Sequence, residues 1–279
     1  MPRIMTNGVS TYYEITGQGP AVIFASGLGG TAAYWAPQVD AFAQHFTVVT
    51  YDQRGAGSTE CPGDTITMDM LADDLQALIE GLGLTAPFVV GHSTGGAIAQ
   101  VLAARKPDIL GGMVQYASWP KSDAHFKWCF RMRKALLGGS SVEEYLLGSA
   151  IFLYPPTYIR DHADRLSNAI ARNAATFPAA EVVIRRIDAI TTHDSLPDLK
   201  HVSIPTLVLC AEDDILTPPY QAQLLVDAIE DAELTILPSG GHGLSETEPH
   251  AFNDVTLAFI RKNAPDPTTG STAHSRVTV

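Results

Sequence analysis

The stretch Val89-Val90-Gly91-His92-Ser93-Thr94-Gly95-Gly96 constrains the fold more than any other part of the chain. An apolar run over 87–90 leads into Gly-x-Ser-x-Gly, and a helix-forming run over 97–104 starts at once. This is a strand, a sharp turn and a helix within a few residues. Gly91 and Gly95 carry no side chain where strand and helix nearly touch, and the turn lifts Ser93 to the strand tip on strained backbone. The helix start aims free N–H groups at the same spot, ready to hold a developing negative charge. The five letters alone arise by chance in about one chain in ten of this length. Their weight comes from the flanking elements and from partners downstream.

On either side, strand and helix alternate. Residues 9–15 alternate apolar and polar and read as a strand; 21–25 and 46–51 are short apolar runs of the buried kind. Between them, 34–46 reads as a helix with Trp35, Val39 and Phe42 on one side. Residues 66–82 form an amphipathic helix with Met70, Leu71, Leu75, Leu78 and Ile79 inward. Further strands are read at 113–116, 206–210 and 234–237, and helices at 219–229 and 249–262. The alternation predicts an α/β fold, a mostly parallel central sheet flanked by helices.

The texture changes at Trp119. From there to about residue 200 the chain is helical, and 121–200 holds 11 Lys/Arg against 9 Asp/Glu while the remainder holds 7 against 21. We read 119–200 as a helical cap inserted into a core formed by 1–118 and 201–263. Phe126, Trp128 and Met132 read as cap core. Residues 264–279, rich in Pro, Thr and Ser, read as a disordered tail.

A serine hydroxyl is a weak nucleophile at neutral pH and needs a base, which needs a third group to orient it. In an α/β sheet such groups sit on loops at the carboxyl ends of strands. After the strand at 206–210 comes Ala211-Glu212-Asp213-Asp214-Ile215-Leu216-Thr217-Pro218; after the strand at 234–237 comes Pro238-Ser239-Gly240-Gly241-His242-Gly243. The order Ser93, acid, His242 is that of nucleophile-elbow enzymes. His92 is the weaker rival as base, since it points the other way around the turn. The acid is open between Asp213 and Asp214, with Glu212 behind them. Main-chain N–H groups of Thr94 and Leu28 are the expected oxyanion hole.

From Gly27 to Pro249 the chain resembles the α/β-hydrolase superfamily with a helical cap. That family places a Gly or Ala, two residues, the catalytic Asp, three residues and Pro. Ala211 and Pro218 put Asp214 in the acid slot, and the resemblance leaves Asp213 as a solvated loop carboxylate. The family usually has His-Gly where this chain has Ser26-Gly27; the oxyanion donor is main chain, so the hole survives the exchange. Asp52-Gln53-Arg54-Gly55-Ala56-Gly57-Ser58 resembles a family loop and reads as a structural turn tied by an ion pair. Within the superfamily, Ser26-Gly27-Leu28-Gly29-Gly30 with Tyr34-Trp35, and Trp119, His125, Cys129-Phe130, Arg133 and 152–155 in the cap, are similar to the aminoacrylate hydrolases of pyrimidine breakdown and to the 3-oxoadipate enol-lactonases. Gly-His-Ser-Thr-Gly-Gly also looks like the cofactor-free perhydrolases and aryl esterases.

The resemblance implies a serine hydrolase that cleaves a small-molecule ester, lactone, amide or enamine through an acyl-enzyme on Ser93, His242 and Asp214. Alternatives are a haloperoxidase-type or C–C bond hydrolase, and, outside enzymes, a ligand-binding sensor. Gly29, Trp119 and Leu216 are the expected substrate-binding residues. Arg185 and Arg186, with His193, are candidates for a substrate carboxylate, set against a solvated cap face. A net charge of −12 argues against nucleic acid or an anionic membrane as partner. No dinucleotide fingerprint and no zinc spacing among nine histidines and three cysteines is present, so no cofactor or metal is expected. Sparse, separated cysteines, no signal-type segment and no run near about 18 apolar residues suit a cytoplasmic protein.

Overall fold

The computed structural model describes residues 2–264. The segment read as a disordered tail, 264–279, lies outside the described residues but for Ala264. Eight strands among the described residues form one sheet: β1 (Arg3–Thr6), β2 (Val9–Thr16), β3 (Ala21–Ala25), β4 (Thr47–Tyr51), β5 (Phe88–His92), β6 (Gly112–Tyr116), β7 (Thr206–Ala211) and β8 (Glu233–Leu237). Their order is β1-β2-β4-β3-β5-β6-β7-β8. The β1–β2 and β2–β4 pairs are antiparallel and all others parallel. Helices α1 (Ala36–Ala43), α2 (Met68–Gly81) and α3 (Thr94–Arg105) lie within the first half. Five helices, α4 (Ala124–Gly139), α5 (Val142–Leu153), α6 (Pro156–Asp161), α7 (Ala163–Ala175) and α8 (Ala180–Thr191), separate β6 from β7. Then come α9 (Pro219–Ala228), α10 (Leu244–Thr247) and α11 (Pro249–Asn263).

Successive side chains of a strand point to opposite faces, so a run that is apolar throughout feeds two cores. Ile23 and Ala25 of β3, with Val89 of β5 and Val208 of β7, pack under α2, α3 and α9. Val22 and Phe24, with Val90, Val114 and Leu209, pack on the other face against Trp35, Phe42, Phe252 and Phe259. The order reverses between β3 and β5, since the chain runs outward from β3 to β4 and then crosses back. Loops at the carboxyl ends of strands diverge at such a reversal and leave a crevice. The loop after β3 and the Ser93 turn after β5 face each other there.

Several sequence expectations are corrected. Strand β1 was not anticipated, because an edge strand with an exposed Met5 carries little apolar signal. The helix read at 34–46 is a 3-10 turn (Ala32–Trp35) followed by α1, with Pro37 in the first turn of α1, where its missing N–H costs no bond. In α2, Met68 is buried in place of Met70, which is half-buried, as is Val39 in α1. Trp128 and Met132, read as cap core, are 69% and 53% exposed. They stand four residues apart on the outer stripe of α4, while Phe126, Cys129, Phe130, Arg133 and Leu137 form the buried stripe.

Candidate active site

Ser93 sits between β5 and α3 with φ 50° and ψ −111°, the strained turn expected of it. Its neighbours must be small. A Cβ on Gly95 would stand 2.0 Å from the Ala25 carbonyl oxygen, and one on Gly91 would stand 2.5 Å from the Gly96 nitrogen. The turn is held through main chain: Ser93 N–H donates to Tyr116 O at 2.8 Å, and Ser118 Oγ donates to Ser93 O at 3.0 Å. Thr94 opens α3, so its N–H is among those a helix start leaves without an intrahelical acceptor.

The loop after β3 comes up against this turn. A Cβ on Gly27 would lie 3.5 Å from the Ser93 Cβ and 3.0 Å from the His92 ring, so a side chain there would press on the His92 ring. Gly30 N–H donates to Gly27 O at 3.0 Å, and the trans Gly27–Leu28 peptide therefore points its N–H away from the loop's own bond. Arg186 Nε fixes the next carbonyl, Leu28 O, at 3.0 Å. Ser26 Oγ donates to Thr31 O at 2.6 Å and Gln53 Nε2 donates to Ser26 O at 2.6 Å, which supplies the loop's internal bonding.

Asp214 and His242 are brought into direct contact: Asp214 Oδ2 accepts from His242 Nδ1 at 2.9 Å, with both side chains buried. Asp214 Oδ1 accepts from Leu216 N–H at 2.8 Å and Thr217 N–H at 2.9 Å, and the Thr217 hydroxyl lies 2.8 Å from Oδ2 and 3.1 Å from Nδ1. Ser93 Oγ makes no hydrogen bond to His242 in this state. Such bonds are often long before substrate arrives. The histidine loop is tied to the serine turn by other means: His92 Nε2 and Tyr116 OH both donate to His242 O, at 3.0 and 2.9 Å. His92 is thus a strut, its ring stacked between Tyr34 and Tyr116. Burial, with His242 beside it, holds its pKa well below the ordinary histidine value.

Several residues that shape this site were not anticipated. Asp213, read as a solvated carboxylate, is half-buried and its Oδ1 accepts from Gly241 N–H at 2.8 Å, next to His242. Thr217, Tyr116 and Ser118 also went unread, because hydrogen bonds across loops leave no spacing signal. Arg186 is no carboxylate ligand: its donors go to Leu28 O, Arg54 O at 2.7 Å and Gln53 Oε1 at 2.5 Å. Arg185 Nη1 donates to Gly63 O at 2.7 Å. Arg54 forms the expected structural ion pair, with Asp74 at 2.6 Å. Trp119 and Leu216 are buried in one apolar cluster against which Leu28 packs, while Gly29 is exposed and a Cβ there meets nothing within 4 Å.

His193 is buried beside Trp119 and Gln100 rather than offered to a ligand, and burial lowers its pKa to about 4. The unfolded chain takes up its proton near pH 6.5 and the folded chain only near 4, so the unfolded state binds more protons between these values. The stability in question is whole above pH 6.5 and is lost as pH falls toward 4. His193 alone carries about 3 kcal/mol of it, and His92 acts in the same sense. Melting temperatures measured from pH 7 down to pH 4 are expected to fall, and His193→Gln to flatten the fall.

Among the described residues no helix is long and apolar enough to cross a membrane, and no cluster of His, Cys, Asp and Glu has the make-up of a metal site. The model of the alpha/beta hydrolase family matches residues 22–255. A Caulobacter sp. (strain K31) protein that carries the name carbamate hydrolase RutD is 37% identical over 259 residues, covering 91% of this chain and 96% of its own. The enol-lactonase of Burkholderia xenovorans LB400 superposes with a TM-score of 0.85 at 24% identity, over 93% of this chain and 100% of its own. A Mycobacterium tuberculosis protein named non-heme bromoperoxidase BpoC gives 0.81 at 26% identity, over 91% and 97%. With a serine at the sheet's reversal point and a buried acid–histidine pair on the two loops beyond it, the chain belongs to the alpha/beta hydrolase family and is a hydrolase.

Proposed function

We propose that this protein hydrolyses the acyl bond of a small-molecule carbamate or a close analogue through Ser93, His242 and Asp214. The observation that carries the reading is the buried 2.9 Å Asp214–His242 contact, linked through His242 O to His92, beside Ser93, and to Tyr116 of β6, whose carbonyl holds the Ser93 N–H. Asp214 accepts the Nδ1 proton, which leaves Nε2 as the base. Ser93 Oγ attacks the acyl carbon as Nε2 takes its proton. The N–H groups of Leu28 and Thr94 hold the oxyanion, and His242 protonates the leaving group. Water, deprotonated by His242, then releases the acyl group from Ser93. Fixed donors of this kind need no reorganisation as charge develops.

The carbamate class is carried over from the name borne by the RutD relatives. In this reading residues 119–200 form a cap over the site, and Trp119, Leu216 and Gly29 meet the substrate. Support comes from contacts that join this segment to the catalytic loops: Gly243 N–H donates to Leu153 O at 2.8 Å, and Tyr154 OH to Glu246 at 2.7 Å. With Ser93 4% and His242 1% exposed, substrate enters by displacement of some of these contacts. The same reading makes the partner a small molecule and the compartment the cytoplasm, supported by the charge of −12 and by three free cysteines.

The test pairs a fluorophosphonate probe with a substrate panel of an aryl carbamate, an aryl ester, an enol lactone and a primary amide. One adduct, located at Ser93 by mass spectrometry, with turnover of the carbamate, is expected. An adduct elsewhere refutes the nucleophile; an untouched carbamate beside a cleaved ester moves the substrate class to esters.

A further inference from the structure

Trp128 and Met132 stand on the outer stripe of α4, and Leu147 and Ile151 repeat the same four-residue spacing on α5, away from its buried Tyr145 and Ser149. The two helices pack side by side and run antiparallel: only two residues join them, and a Cβ on Gly148 would meet Leu136 Cδ1 at 2.6 Å. Next to them, His125 Nε2 donates to Ile215 O at 2.7 Å, and Ile215 and Ile151 line one hollow of about 370 Å³. Leu147, Ile151 and Ile215 are each more than half exposed, like Trp128 and Met132. The five side chains form one apolar surface.

A surface of this kind needs a reason. The exposed parts of the five side chains come to roughly 500–600 Å², the upper end of what a monomer shows. A stable interface takes about 800 Å² from each partner, with a centre rich in Trp and Met and a polar rim around it. This surface supplies most of such an area, and charged side chains flank it.

Those charges say what covers it. Lys127 and Arg131 are exposed on α4 beside Trp128 and Met132, and Glu143 and Glu144 are exposed in the first turn of α5, one turn before Leu147. None of the four enters an ion pair among the described residues. Because the helices are antiparallel, the pair has a basic end and an acidic end with the apolar stripes between. A second such pair, turned about a two-fold axis, sets each basic end on an acidic one. An anionic membrane would meet the two glutamates as well as the two cations. Other faces are unsuited to self-contact: outside 121–200 the chain holds 7 Lys/Arg against 21 Asp/Glu, so two copies meeting there set like charge on like.

We propose that this face is the contact between two copies of the chain, related by a two-fold axis, with Lys127 and Arg131 of one copy set against Glu143 and Glu144 of the other. The contact does not depend on which residue attacks the substrate. It reaches the acid loop, because Ile215 follows Asp214.

Sedimentation velocity of the full chain over a dilution series reads the assembly. Wild type is expected to sediment as a dimer that dissociates on dilution, and more readily at high salt. Trp128→Glu with Met132→Glu is expected to raise the dissociation constant on the order of 10²-fold or more, with a thermal melt of the same preparation as the check on folding. A charge exchange tests the geometry itself. Lys127→Glu with Arg131→Glu, and Glu143→Lys with Glu144→Lys, are each expected to raise the constant about tenfold or more. An equimolar mixture of these two variants is expected to recover dimers, since a mixed pair matches at both ends. These four positions are exposed, so the exchange decides even if the Trp128 and Met132 variant does not fold. A mixture that associates no better than either variant alone overturns the proposal. A dimer that Trp128→Glu with Met132→Glu leaves untouched lies on another face and overturns it too. So does a wild type that is monomeric at every concentration; if that monomer floats with phosphatidylcholine vesicles, the face serves a membrane instead.

Discussion

Ser93→Ala is expected to lower kcat/KM on the order of 10³-fold or more and to leave the fold intact. The hydroxyl alone is removed. Every bond that holds residue 93 in its turn is main chain: N–H to Tyr116, and the carbonyl accepting from Ser118 Oγ and from Ala97 N–H at 3.1 Å. Alanine bears the φ of 50° no worse than serine, since both carry a Cβ. The two proposed oxyanion donors are also main chain and survive, so residual turnover above background is part of the expectation. Steady-state kinetics with a thermal melt of the same preparation reads both quantities. Turnover near wild type would remove Ser93 from the chemistry; a collapsed melt would mean that the hydroxyl holds the turn, and the activity loss would then say nothing about attack.

Asp214→Asn is expected to cost on the order of 10³- to 10⁴-fold in kcat. The carboxylate is surrounded by donors: His242 Nδ1, Leu216 N–H, Thr217 N–H and the Thr217 hydroxyl. An asparagine amide must turn its own donor toward one of these. With two main-chain N–H groups fixed on the Oδ1 side, its NH2 falls on the Nδ1 side. His242 then carries its proton on Nε2 and cannot accept one from Ser93. Asp213→Asn is the internal control. Its one bond here is to Gly241 N–H, which an amide oxygen accepts equally well, so a loss below about tenfold is expected. The reverse pattern, a crippled Asp213→Asn beside an active Asp214→Asn, would move the acid by one residue.

The sheet was readable because buried parallel strands are short apolar runs and the helices between them keep their period. The candidate site was approached for a related reason: Ser93, Asp214 and His242 lie on three loops whose order along the chain is set by the fold, and the structure joins the last two at 2.9 Å. What escaped has no period. The outer stripe of α4 carries Trp128 and Met132, large apolar side chains that read as core from their type alone. Asp213 and Asp214 are adjacent and identical in kind; their different partners, Gly241 N–H and His242 Nδ1, are decided by a loop twenty-eight residues on. Arg185 and Arg186 looked equivalent, yet successive positions of a helix point about 100° apart: Arg186 reaches the loop after β3, while Arg185 reaches Gly63 O.

That inward arginine has a bearing on how members of this family diversify. Helical segments between β6 and β7 look like interchangeable cassettes, free to be traded for new substrates. Here the cassette carries the brace of a loop it does not belong to: Arg186 of α8 pins Leu28 O and the Gln53 side chain of the core. A graft of residues 119–200 from a relative without an equivalent arginine would strand the Leu28 carbonyl and unsettle its neighbouring N–H. A segment exchanged at these boundaries therefore has to bring its own donor for the Leu28 carbonyl, whereas substitutions elsewhere in the segment leave this contact in place.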